Sequence, residues 1–395
     1  MINYGLVVPR QNSFLSFDFL IWLLVIALSQ NLFSETEMSD KDMEHKSSEK
    51  HNAVHKASHH APIGVMGGEY HKKGELMFSL RFMHMKMHSN SQGGKELSDY
   101  QVISLPNPFA TGNMSSKISV VPKEMEMKMS MINLMYGFND WITGMVMLKS
   151  IHKNMKLNSY SSVANLPCIK IYPSPPECRS LLGSFNSSSS GLSSIAFSAL
   201  VKIKETKTNR WHVELGFEKS IGKNDRKGEV LSPMNTKLDI ILPYSMQTGD
   251  KGTRLVTGLT FVQRNMEWTY GIQTKFNKTI NHEEWNYGNN LSMNGWIQKG
   301  LSNKTSLSFR YSYLNEKTIN GKDMMIMAPV QTSNPKNYGG RFNEIGVGVN
   351  RLINFKDSKH GNRLGLELVY PLKQDLNGLQ MQRDWSVRLG YQTSF

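Results

Sequence analysis

The sequence predicts an all-β fold: a transmembrane antiparallel up-and-down β-barrel of about 12 strands behind a short disordered N-terminal segment. Three observations lead there. The C-terminal stretch alternates without a break. Trp385, Val387, Leu389, Tyr391 and Phe395 share one face with Thr393, while Asp384, Ser386, Arg388, Gly390, Gln392 and Ser394 share the other. A period of two is a strand with one apolar and one polar face. From residue 74 onward, similar segments are separated in turn by short connections and by long ones rich in Gly, Asn, Ser and Pro, the asymmetry of a barrel with turns on one rim and loops on the other. No run of eighteen apolar residues occurs, which excludes an ordinary membrane-spanning helix. A barrel strand escapes that test, because half of it faces a polar lumen and about 9–11 residues suffice to cross.

The elements follow in chain order. Residues 1–34 read as a signal peptide, with Arg10 ahead of a short apolar run from Phe19 to Leu28 and the small Ser34 at the cleavage point. Residues 35–73 have little apolar content but carry His45, His51, His55, His59, His60 and His71, and read as a His-rich periplasmic linker. The barrel occupies 74–395, with strands expected at about 75–88, 123–136, 141–152, 192–204, 211–220, 254–264, 268–279, 290–300, 304–316, 342–354, 363–374 and 384–395. The short connections are 137–140, 205–210, 264–267, 301–303 and 355–362; the long ones are 89–122, 153–191, 221–253, 280–289, 317–341 and 375–383. An even strand count returns both termini to the short-turn, periplasmic rim. Tyr136, Phe138, Trp141, Trp211, Trp268 and Tyr270 sit near those turns, where an aromatic girdle belongs.

Methionines at a spacing of two carry the chemistry. Met83, Met85 and Met87 end the first strand, Met125, Met127, Met129 and Met131 begin the second, and Met145 and Met147 lie in the third. Leu76, Phe78, Leu80 and Phe82 form the outer face of strand one, so Arg81 and its three methionines point inward; Ile132, Leu134 and Tyr136 send the second set inward as well. Outward positions at that level are His84, Lys86, His88, Glu124, Glu126 and Lys128, which belong above the hydrocarbon and pair across strands. Three uses stay open for inward thioethers: filling a narrow lumen, lining the path of an apolar solute, or binding Cu(I) or Ag(I). For the last, His59, His60 and His71 are the candidate imidazole ligands.

Charge and motifs bound the function. The chain of 395 residues has a formal net charge of +14, spread over turns and loops rather than gathered in one domain among aromatics, so no nucleic-acid partner is expected and anionic lipopolysaccharide is. Cys168 and Cys178 flank a Pro-rich stretch and suggest a local disulfide in an exported protein. Gly-x-Ser-x-Gly is absent, and the adjacent Glu283 and Glu284 would point to opposite faces of a strand. The expectation is no enzyme activity and no cofactor.

The segments His60-Ala-Pro-Ile-Gly-Val-Met-Gly67, Gly74-Glu-Leu-Met-Phe-Ser-Leu-Arg-Phe-Met-His-Met85, Val121-Pro-Lys-Glu-Met-Glu-Met-Lys-Met-Ser-Met131, Leu231-Ser-Pro-Met-Asn-Thr236, Ala328-Pro-Val-Gln-Thr332, Asn337-Tyr-Gly-Gly340 and Pro371-Leu-Lys-Gln-Asp-Leu-Asn-Gly378 resemble, in consistent order, outer-membrane proteins of the MetA-pathway of phenol degradation family. Gly191-Leu-Ser-Ser194 departs from the Gly-Phe-Gly-Asp-like strand start of that family. The resemblance implies an outer-membrane barrel transporter and supplies no catalytic residues. The terminal strand, with Trp385, Leu389, Tyr391 and Phe395, resembles the segment by which the barrel assembly machinery recognises its clients. The function expected is passage or binding of a small hydrophobic or aromatic solute through a Met-lined lumen. The alternative is soft-metal (copper or silver) binding or transport at a Met/His-rich mouth, with a barrel-borne hydrolase behind both. About twelve strands enclose a narrow lumen, and Pro233, Met234, Pro329 and Tyr338 are candidates to fold inward as a constriction.

Overall fold

The computed structural model describes residues 56–110, 112, 114–162, 179–281, 283–353 and 362–395. Within them, antiparallel strands follow one another around a ring: β1 (Leu76–Gln92), β2 (Val120–Gly137), β3 (Ile142–Tyr160), β4 (Leu181–Glu205), β5 (Asn209–Ser220), β6 (Thr253–Arg264), β7 (Trp268–Asn281), β8 (Asn290–Gly300), β9 (Thr305–Glu316), β10 (Gly340–Ile353), β11 (Asn362–Leu376) and β12 (Gln380–Ser394). β12 pairs back onto β1, from Met77 opposite Ser394 to Ser91 opposite Gln380, so the ring closes and neither terminal strand is left as an edge. The alternation in the sequence makes this closure possible, because each strand buries one set of side chains inside the ring and presents the other outside.

The outside is apolar where a bilayer needs it to be. Leu134, Phe197, Leu215, Ile272, Phe309 and Leu368 are exposed on the strands, and Tyr136, Phe138, Trp141, Trp268 and Tyr270 form an aromatic band toward the short turns. In hydrocarbon every backbone polar group must be satisfied internally, which a closed ring of ladders achieves and an open sheet does not. The chain is a bacterial outer-membrane barrel. On the outer face of β1, His84, Lys86 and His88 lie opposite Lys128, Glu126 and Glu124; His84 reaches the Glu126 carboxylate at 3.8 Å, and His88 reaches Asp384 at 3.4 Å. A bulge at Lys86/Met87 takes Asp384 off the face that the simple alternation gave it.

Several boundaries differ from expectation. β3 runs to Tyr160 and β4 starts at Leu181, so 153–160 and 181–191 of the expected loop 153–191 are strand. The stretch from Ser184 to Ser194 is serine-rich and shows no apolar alternation, which hid it. β11 and β12 meet in a tight turn at 377–379 with Gly378 at φ +71°, where a long connection over 375–383 was expected. The loop between β1 and β2 contains a helix, α1 (Asp99–Ser104), started by a Ser98–Gln101 capping box.

The largest correction concerns the expected periplasmic linker. Its described part, 56–73, lies in the barrel lumen. It enters at the short-turn rim, where the Ala57 amide donates to the Asn303 carbonyl, and returns there, where Lys73 donates to Asp140 and Gly74 to the Gly137 carbonyl. The signal-peptide expectation for 1–34, the start of the linker and both cysteines lie outside the described residues.

Candidate solute-binding site

The lumen segment has almost no regular structure of its own, so its backbone needs partners from the wall. It finds them all around the ring, on β1, β3, β5, β6, β7, β8, β10 and β11. Arg264 donates to the His59 carbonyl at 2.6 Å, Arg363 to the Ala61 carbonyl, and Arg81 Nη1 to the carbonyls of Ile63 and Val65 at 2.8 and 2.9 Å. Gln273 donates to the Met66 carbonyl at 3.0 Å, and His212 Nε2 lies 2.9 Å from the Gly67 carbonyl. The apolar side chains of the segment, Ala61, Ile63 and Val65, are buried. Gly365 and Gly390 face each other across β11 and β12, and Ile63 sits against both.

Around the segment's tip the wall is charged and paired. Arg310 grips Glu367 through two bonds of 2.8 Å, and Arg388 shares the same carboxylate at 3.2 Å. Arg383 bonds Glu344 at 2.9 Å and stacks over the Phe342 ring at 3.7 Å. Gly64 packs against this cluster with no room for a side chain.

The methionine positions fall on the same side of the sheet as Arg81. Met83, Met85 and Met87 stand opposite Met129, Met127 and Met125, and Arg81 opposite Met131. One strand further, Met125 faces Met155, Met127 faces Lys153, Met129 faces Ile151 and Met131 faces Lys149. Met147 faces Asn133, while Met145 packs with Met77, Met135 and Leu200 against Tyr70 of the lumen segment. The methionines thus divide by depth, with Met145 and Met147 beside the segment and the rest toward the long-loop rim.

At that rim lies an apolar cavity of about 550 Å³. Met155, Leu157 and Phe185 contribute to its strand side, and inward-folded loops supply most of the rest: Val230 to Met234, Leu242, Met246, Met324, Met325 and the run from Met327 to Val330. Met125 and Met155 belong to one buried cluster with Val120, Leu157, Leu242, Met246 and Val330. Pro233, Met234 and Pro329 line the cavity; Tyr338 instead supports the loops from behind, its hydroxyl donating to the Thr332 carbonyl at 2.6 Å. Burial pushes the Tyr338 phenol up, which keeps it a donor. The lining of Leu242, Met246, Met324 and Met327 was not picked out in the sequence. The signal was present, since Leu238-Asp-Ile-Ile-Leu242 and Met324-Met-Ile-Met327 are too apolar for solvated loops.

The histidines lie at the other end. His60 Nδ1 pairs with Glu69 at 3.0 Å and His71 Nδ1 with Glu75 at 3.1 Å, and the His59 carbonyl binds Arg264. Among the described residues no group of three His, Cys, Asp or Glu side chains is placed to hold a metal ion.

No family model matches the chain, and no curated protein matches it in sequence. In fold it is similar to an outer membrane channel of Pseudomonas putida F1, with a TM-score of 0.50 and 10% identity over 83% of this chain and 98% of that one. A FadL homologue of Pseudomonas aeruginosa scores 0.36 at 11% identity, covering 82% of this chain and 89% of its own. The toluene transporter TodX of P. putida scores 0.39 at 11% identity, covering 82% and 90%. The first likeness extends over nearly the whole of that channel, and what it shows is a shared barrel fold.

Proposed function

We propose that this barrel is a channel for small apolar or aromatic solutes, which bind first in the cavity at the long-loop rim and then move along the methionine face toward the lumen segment. The observation that carries the reading is the cavity itself. Its volume of about 550 Å³ lies in the range of small-molecule sites, and its walls are mainly Met, Leu, Val, Phe and Pro with a few serine and threonine side chains. Thioether side chains are flexible and polarizable, so they adapt to solutes of different outline and suit aromatic faces. Below the cavity, Met83, Met85, Met127 and Met129 continue an apolar surface toward Arg81. The family resemblance and the barrel fold shared with the P. putida channel support transport over catalysis.

In this reading the long-loop rim is extracellular, because the charged outer residues of β1 and β2 belong beyond the hydrocarbon. One experiment tests both parts. Met234 is well exposed on the lip of the cavity. In a Cys168→Ser/Cys178→Ser background, Met234→Cys is labelled on intact cells with a charged, membrane-impermeant maleimide, and toluene uptake is followed. Labelling is expected, with uptake falling about fivefold or more as the apolar lip becomes polar and obstructed. Full labelling with unchanged uptake would sink the cavity as the entry site, and no labelling on intact cells would reverse the orientation.

Soft-metal handling is the second reading. It draws on the number of thioethers around one cavity, Met155, Met234, Met246, Met324, Met325 and Met327 among them. The lumen histidines do not contribute to it, because they sit at the opposite rim.

A further inference from the structure

We propose that Lys153 and the serine hydroxyls beside it form an anion subsite beneath the apolar cavity, so that the solute is amphipathic, with an apolar body among the methionines and a terminal carboxylate on the ammonium. This rests on the reading of the cavity as the solute site. β3 and β4 carry Met155 opposite Ser187, both on the cavity wall, and Lys153 opposite Ser189. The second pair is two residues further along the same inner face, roughly 7 Å deeper.

Lys153 is 7% exposed, and its ammonium donates to the carbonyls of Ser245 at 2.8 Å and Gln247 at 2.6 Å. Those two residues flank Met246 of the cavity wall. An ammonium has three donors, so one remains. The other inward lysines have their own carboxylates, Lys149 with Glu218 at 2.7 Å and Lys275 with Glu214 at 2.6 Å. Among the described residues Lys153 has none, and a buried charge without a counter-ion is costly. Its surroundings add further unused donors: the hydroxyls of Ser187 and Ser189 are buried and have no hydrogen-bond partner in the protein. Ser187 and Ser189 are 6% and 7% exposed.

A role as a latch for the loop that carries Met246 accounts for the two carbonyl bonds, but not for two idle hydroxyls on the paired strand beside an uncompensated cation. A carboxylate would take the free ammonium donor and the serine hydroxyls at once, while its hydrocarbon portion stays in the cavity.

The test measures binding of 4-phenylbutyrate and of neutral 4-phenylbutan-1-ol to the full-length protein in non-ionic detergent by titration calorimetry, for wild type, Lys153→Met and the double variant Ser187→Ala/Ser189→Ala. Wild type is expected to bind the acid about tenfold more tightly than the alcohol. Lys153→Met keeps the length of the side chain and removes its charge, so it should erase that preference and leave alcohol binding within about threefold. The serine pair should weaken the acid alone by about three- to tenfold. Acid affinity unchanged in both variants, or a wild type without preference for the acid, overturns the subsite and leaves the cavity standing. Failure of both probes to bind wild type overturns the cavity as the solute site, and the subsite with it. Heat-modifiable gel migration reports whether each barrel has folded; should Lys153→Met not fold, the serine pair decides.

Discussion

Glu367 is fully buried and holds two guanidiniums, those of Arg310 and Arg388. Such a trio depends on completeness. Replacing a buried ion-pair network with apolar groups is often tolerated, whereas removing one partner leaves charge that nothing compensates. Glu367→Gln keeps the shape and strands both arginines, so it is expected to lower barrel stability by about 3–5 kcal/mol, read from the urea dependence of folding in lipid vesicles. Adding Arg310→Met to that variant should recover much of the loss, and a single variant as stable as wild type would show that the trio contributes little. None of this cluster was legible in the sequence. Arg310, Glu367 and Arg388 lie on three different strands, and the cluster follows from register, which a single strand's alternation does not specify. The inward side of Met83, Met85 and Met87 was legible for the opposite reason, since a period of two fixes the face of every residue once one is placed.

At the scale of elements, strands with a clear apolar face were found within a few residues, and the failures occurred where that face was missing. β4 was truncated because serines occupy both of its faces from Ser184 to Ser190. Residues 56–73 were misread because an irregular segment with glycines and histidines has the composition of a mobile linker. What fixes it in the lumen is a set of arginine, glutamine and histidine side chains contributed by the wall. Its fit also depends on small residues. Gly390 gives Ile63 its place, and a β-carbon there would run into the Ile63 side chain. Gly390→Leu, which crowds Ile63 and also touches the Arg81 side chain that holds the segment, is expected to push the segment from its seat and raise single-channel conductance in planar bilayers several-fold. Conductance equal to wild type would mean that the segment adapts without opening the lumen.

At the scale of the whole molecule, one strand carries both the closure of the barrel and part of its interior. The outward side chains of β12 run from Trp385, opposite Lys86, to Tyr391, opposite Leu80, while its inward residues Arg388 and Gln392 belong to the lumen, Gln392 accepting from Arg363 at 3.3 Å. The two ends of the ring are tied by reciprocal bonds, Phe395 donating to the Leu76 carbonyl at 2.8 Å and Leu76 to the Phe395 carbonyl at 3.2 Å. Removing residues 391–395 deletes the pairing of Met77 to Leu80 with β12 and of Arg363 and Leu364 with Gln392 and Tyr391, which leaves β1 and β11 with unpaired backbone at the short-turn rim. Unpaired amides in hydrocarbon cost several kcal/mol each, far more than the apolar contacts of five residues can return. The truncated chain is therefore expected to lose its heat-modifiable band and to fall to about a tenth or less of wild-type outer-membrane level. Phe395→Asp tests a narrower point, because it keeps the backbone pairing and removes the terminal aromatic alone. A deficit in the truncated chain but not in Phe395→Asp would assign the defect to closure of the ladder; equal deficits would assign it to recognition of the terminal aromatic during assembly. A truncated chain at normal level would show that the barrel closes without its last residues.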